Sequence, residues 1–201
     1  MREFMILIEE ASISKEEMVL RDMMGRANPA PFEQWFEANG DEEAKDDPEM
    51  MLWEFSYYLK DELTISVDDD GIVSFWELTS EVAKIIGNHP VKLYHFTSNV
   101  AADGIRQHGI TSGNKSVNRT KTPGVFLTSE YGGPATDGYH RNAVNAVKGK
   151  ARDTAHGVVV TVWMHLNELD ADPDDEDISS GRHQFICDHV PADRIISIDR
   201  A

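Results

Sequence analysis

The chain has 201 residues, 40% of them hydrophobic and 27% charged, with a formal net charge of −17. That length supports one large domain or two small ones with a real core, and the composition excludes a globally disordered chain. No apolar run approaches the ~20 residues needed to span a bilayer, and the single Cys187 excludes an internal disulfide or a cysteine-based zinc site.

The charge is unevenly shared. Residues 1–90 carry 7 Lys and Arg against 22 Asp and Glu, whereas residues 91–201 carry 12 against 14. Such asymmetry predicts an acidic unit over 1–90 and a second unit over 91–201, with a natural linker at Asn88-His89-Pro90. The acidic unit repels a phosphate backbone and suits docking on a basic partner. The opening Met5-Ile6-Leu7-Ile8 is cut short by Glu9 and Glu10, too brief for a secretory segment, so a cytoplasmic protein is expected.

In chain order, Ser14 and Glu17 form a capping-box pattern ahead of Met18, Val19 and Leu20. Pro31 suits a first helical position and Gly40 a stop, around Phe32, Trp35 and Phe36. Asp41 to Asp47 reads as an acidic loop. Asp47-Pro48 then opens a helix with Met51, Leu52, Phe55, Tyr58 and Leu59 at helical spacing, read as core, with a partner-binding groove as the alternative.

Residues 66–77 admit two readings. Asp68, Asp70, Gly71, Ser74 and Glu77 match the later positions of a calcium loop of the EF-hand type, but Ser66 takes the first, where a carboxylate belongs. Two apolar flanks joined through Asp70-Gly71 make a β-hairpin the preferred reading. Ser80 to Ile86 reads as a short helix stopped at Gly87.

The second unit alternates strands and helices: a strand at Leu93 to Phe96, a helix over Val100 to Gln107 capped by Ser98, then strands at Gly124 to Thr128 and Gly157 to Trp163. Further strands fall at 185–187 and 195–198, with an acidic loop at 170–177. This is an α+β pattern with a mostly antiparallel core. Cys187, inside an apolar strand, reads as a small buried hydrophobe.

A strand ending in His, then a helix, a strand and a lone Tyr can frame a dinucleotide cleft without a glycine loop. The segment from Tyr94 to Ile198 resembles the ADP-ribosyltransferase superfamily, in its diphtheria-toxin and PARP-like branch with the His-Tyr-Glu signature. Tyr94-His95-Phe96-Thr97 is similar to the branch's Tyr-His-Gly-Thr motif. Ala101 to Ile110 resembles its Gly-Ile helix end, Gly124 to Thr128 its second strand, and Gln184-Phe185-Ile186 the segment carrying the third residue. Rifampin ADP-ribosyltransferases share the plan.

The resemblance implies an α+β fold with a mostly antiparallel split sheet. It implies a glycosyltransferase that takes NAD as substrate and moves ADP-ribose to a macromolecular acceptor, protein favoured over nucleic acid. His95 would bond a ribose hydroxyl, the backbone at Phe96 and Thr97 would hold the nicotinamide carboxamide, and Tyr139 would stack on its ring. Gln184 would hold the ribose hydroxyl in the oxocarbenium-like transition state, and Leu127 takes the place of a second stacking aromatic.

Two departures stand out: Gln184 replaces the usual Glu, and Phe96 replaces the usual Gly. His183 and His189, on either side of the third motif, are peripheral. Lys115, Arg119 and Lys121, with Arg141, Lys148, Lys150 and Arg152, are either diphosphate or nucleic-acid contacts or solvated loop charge, Arg119 being the favoured phosphate contact. Openings like Met1 to Ala11 resemble small phage proteins, which suggests a host-modifying factor acting in the host cytoplasm. The alternative is a catalytically silent binding protein on the same fold.

Overall fold

The structure is a computed structural model, and it describes residues 13–112, 124–129, 157–171 and 184–200. Helix α1 (Lys15–Arg26) opens where the Ser14 hydroxyl accepts from the Glu17 amide at 3.1 Å. Helix α2 (Pro29–Asn39) begins two residues before the expected Pro31. The Asn28 side chain caps it and Pro29 takes the first turn, where a missing N–H costs nothing. Asp41 caps a 3-10 turn over Glu42–Asp46 in what the sequence suggests is a plain loop.

Helix α3 (Pro48–Leu63) starts as expected, with the Asp47 carboxylate accepting from the amides of Glu49 and Met50. It buries Leu52, Phe55, Tyr58 and Leu59. Phe32 of α2 packs edge-on against Phe55, ring centroids 5.3 Å apart, and Trp35 packs against Tyr58 at 6.0 Å. The aromatics that the helical spacing singles out are therefore core.

The hairpin expectation holds: β1 (Ser66–Val67) pairs antiparallel with β2 (Val73–Ser74). Asp68 organises the turn, its Oδ1 accepting from the amides of Asp70 and Ile72 and its Oδ2 taking Lys92 Nζ at 2.7 Å. Burial opposes ionisation of Asp68, but Lys92 and these amides outweigh it and hold the carboxyl below its ordinary range. Asp68→Ala is expected to lower stability by about 1–2 kcal/mol, read as a shift of the urea midpoint with unchanged slope; no shift would show the turn to be held by Gly71 alone.

Helix α4 (Ser80–Ile86), capped by Thr79, ends at Gly87, whose φ of 58° only glycine adopts freely. The expected linker is instead a tight joint. His89 Nε2 meets Asp22 of α1 at 2.7 Å, and Pro90 already begins β3 (Pro90–Ser98). Five described strands then follow the short 3-10 turn at Asn99–Ala101, helix α5 (Ala102–His108) and β4 (Ile110–Thr111). They are β5 (Val125–Thr128), β6 (Gly157–His165), β7 (Asp170–Ala171), β8 (Gln184–Cys187) and β9 (His189–Val190), and β10 (Ile195–Arg200) closes the described chain. Ser98 makes no side-chain cap, and a 3-10 turn intervenes before α5.

The fold is mixed α+β, and its main sheet is antiparallel except where β2 lies parallel to β3 at Val73↔Val91. Strand β3 is central. One edge pairs with β6 over nine residues, from Pro90↔His165 to Ser98↔Gly157. It also takes β2 near its start and β5 only at Tyr94↔Thr128. The hairpin of the acidic half thus extends the sheet of the second half. One buried cluster runs from Val19 and Met23 through Phe55, Val91 and Leu93 to Phe185 and Val190. Packing ignores the charge boundary at 90/91 because charge sits on the surface while apolar faces decide contacts.

The last strand is anchored by Arg194, which makes a two-pronged ion pair with Glu168 and lies 4.8 Å over the Trp163 ring. The Arg194 hydrogen bonds hold the Glu168 carboxyl below its ordinary value of 4.5. A depressed folded-state value means the stabilisation is present above pH 4.5 and is lost as pH falls through that lower value. The urea midpoint of Glu168→Gln is therefore expected to lie below wild type at pH 7, with the gap closing as pH falls through the lowered folded-state value. A gap independent of pH would show that the charge contributes nothing.

Candidate functional site around His95

Alternation along β3 sends Val91, Leu93, His95 and Thr97 to one face and Lys92, Tyr94, Phe96 and Ser98 to the other. Val91 and Leu93 are fully buried in the shared core. His95 therefore stands on the core face, two residues beyond Leu93, where burial gives way to partial exposure. Cross-strand partners share a face, so Val160 lies beside it from β6. Continuing the Tyr94↔Thr128 register sets Leu127 of β5 on its other side.

The β3–β5 pairing lasts for one residue pair, whereas β5–β8 pairs over four, from Val125↔Cys187 to Thr128↔Gln184. β3 and β5 are thus joined within the sheet by a short contact. The Phe126 carbonyl of β5 accepts a hydrogen bond from His95 Nδ1 at 2.9 Å. A carbonyl can only accept, so Nδ1 carries the proton and neutral His95 leaves an acceptor lone pair on Nε2. Surrounding protein lowers the imidazole pKa by desolvation, which outweighs the bond to Phe126, so the ring is neutral at pH 7.

This group is poised to accept a hydrogen bond from a hydroxyl. Its bond to the main chain fixes ring orientation and tautomer, which a ligand would otherwise have to do. Leu127, only 2% exposed, supplies an apolar neighbour, and Thr97 follows on the same face.

The remaining candidates fall elsewhere. Phe96 lies on the opposite face. So does Gln184: Thr161, Tyr94, Thr128 and Gln184 form one row across β6, β3, β5 and β8, extended by Ser197 of β10. Burial agrees, since Phe185 and Cys187 enter the shared core and Gln184 does not. Two intervening strand spacings, together ~10 Å, also separate β3 from β8. Gln184 thus stands on the sheet face opposite His95. Tyr139 and Arg119 lie outside the described residues, as do His183 and the other loop cations.

Cys187 is buried, and desolvation raises its thiol to about 11, so it is no nucleophile at neutral pH. His189 is exposed, and its Nε2 lies 3.4 Å from the His108 carbonyl. Among the described residues no cluster of His, Cys, Asp or Glu is arranged to hold a metal ion. No described helix is long and apolar enough to cross a membrane.

Sequence reasoning missed the Phe126 carbonyl, because a main-chain partner thirty-one residues away leaves no mark in residue identity. The face of His95 was open to inspection: Val91, Leu93 and His95 share the odd positions of one apolar strand. Neither a scan of family models nor a search of curated proteins finds a match to this chain.

Proposed function

We propose that this chain binds NAD at the short contact between β3 and β5 and transfers ADP-ribose to a macromolecular acceptor, on an ADP-ribosyltransferase-like fold. The observation that supports this most is the fixed imidazole of His95, with Nδ1–H tied to Phe126 and Nε2 left without a partner among the described residues. The short β3–β5 pairing beside it suits the split sheet expected of that fold. A protein acceptor is favoured because a net −15 over residues 1–90 repels nucleic acid.

Cleaving the nicotinamide–ribose bond develops positive charge on the sugar, and an acceptor bonded to a ribose hydroxyl strengthens as that charge grows. His95 supplies one such acceptor. Gln184, uncharged and on the other face, does not supply a second at the same sugar.

That register favours a second reading, in which the chain holds NAD without turning it over. Incubation with labelled NAD and a cell lysate separates the two. Label entering protein, or free nicotinamide released, supports transfer, provided His95→Ala removes it. NAD binding with neither product supports the silent form. Gln184→Glu is expected to change neither result, because the new carboxylate would sit on the face away from His95; activity created by it would put both residues at one ribose.

A further inference from the structure

Most large apolar side chains of the acidic half are buried, yet two aromatic residues of α3 are not. Trp53 is 51% exposed and Tyr57 55%. They stand four residues apart, on one stripe of the helix opposite Leu52, Phe55 and Leu59. Tyr57 also forms one wall of a groove between α1, α3 and β1, floored by Leu20, Leu59 and Ile65.

Acidic side chains outnumber cations around this ridge, where Lys60 lines the groove beside Tyr57. Glu49 lies one turn before Trp53, Asp61 one turn after Tyr57, and Glu54 between them; Glu16 of α1 lines the groove. Some acidic residues elsewhere find cations, as in Glu17–Arg21, Asp22–Arg26 and Asp68–Lys92. Among the described residues, Glu49, Glu54 and Asp61 enter no ion pair, and Lys60 is the one cation on α3.

We infer that the Trp53–Tyr57 ridge of α3 is a docking surface for a lysine- and arginine-rich segment of another protein, its cations taken by Glu49, Glu54 and Asp61 and by the aromatic faces. Charge complementarity selects this occupant: an acidic rim rejects nucleic acid and anionic membranes, while Trp and Tyr faces attract guanidinium and ammonium groups. Trp and Tyr are also the residues that most often anchor such interfaces, since they lose little rotamer freedom on binding. The groove beside Tyr57 offers a slot for an apolar side chain of the same segment. The surface does not depend on His95 or on NAD.

The test uses the full chain and a fluorescein-labelled peptide of lysine, arginine and leucine, with a glutamate-for-cation counterpart as control, read by anisotropy. The basic peptide is expected to bind and to quench or shift Trp53 emission, and the acidic one is not. Trp53→Ala, Tyr57→Ala and the pair Glu54→Lys with Asp61→Lys are each expected to weaken binding about tenfold or more. Trp53, Tyr57 and Asp61 are exposed and Glu54 is half-buried, and circular dichroism confirms folding.

The pair Glu33→Lys with Glu37→Lys, on the exposed side of α2, is expected to leave affinity within about twofold at physiological salt. Equal loss in this control would reduce the effect to bulk negative charge and overturn the proposal. So would unchanged affinity in Trp53→Ala, or concentration-dependent dimers that the α3 variants abolish while peptide binding persists, which would make the ridge a contact between copies of this chain.

Discussion

His95→Ala is expected to remove NAD-dependent activity, lowering transfer or nicotinamide release by about a hundredfold or more while the protein stays folded. The size follows from losing a hydrogen bond that strengthens as the sugar becomes cationic. The substitution also strands the Phe126 carbonyl, which now accepts from His95 at 2.9 Å. A buried carbonyl left unpaired costs about 1–3 kcal/mol, so the melting temperature should fall, and activity must be compared well below it. The kinetic loss far exceeds what that stability change alone produces at 25 °C. Retained turnover in a folded His95→Ala protein would place the chemistry elsewhere.

The second large effect is structural. Gly109 links α5 to β4 with φ of 76°, and a Cβ there would lie 2.0 Å from the Val190 carbonyl oxygen and 2.9 Å from the Ala192 amide. Both are main-chain atoms of the β4–β9 ladder and the turn after it, so neither can swing aside. Gly109→Ala is expected to cost about 3 kcal/mol or more, from the left-handed backbone and the clash together. Gly104, in the middle of α5, meets nothing within 4 Å. Gly104→Ala is therefore expected to add about 0.5–1 kcal/mol of stability. Urea denaturation of the two variants should give shifts of opposite sign; equal shifts would mean the close approach at Val190 does not exist in solution.

What the sequence made legible was local. Ser14 and Asp47 announced helix starts because a short polar side chain before an apolar period has one use there. Asp70-Gly71 announced the hairpin, and the amides gathered by Asp68 show how the turn is held. The start of α2 was misread because Pro29 and Pro31 both suit a first turn, and the Asn28 cap decides between them.

Non-local pairing was not legible. Nothing in residues 66–77 marks that β2 will lie parallel to β3, and so the acidic half looks separate when its hairpin joins the central sheet. The same limit affected the site. His95 and Gln184 each sit in a plausible motif, but their faces depend on the register Tyr94↔Thr128↔Gln184, which only strand pairing fixes. One residue of slip would exchange the faces. Trp53 and Tyr57 carried a usable signal: aromatic residues placed off the apolar stripe of α3 point away from the core.

The most direct test of the site is calorimetric titration of NAD into the purified chain and into His95→Ala, at pH 7.5, with both proteins shown to be folded. Binding of one NAD per chain, lost or weakened about tenfold or more in the variant, is the result expected of an imidazole preset to accept a ribose hydroxyl. No binding to the wild-type chain, or equal affinity in both, would contradict it.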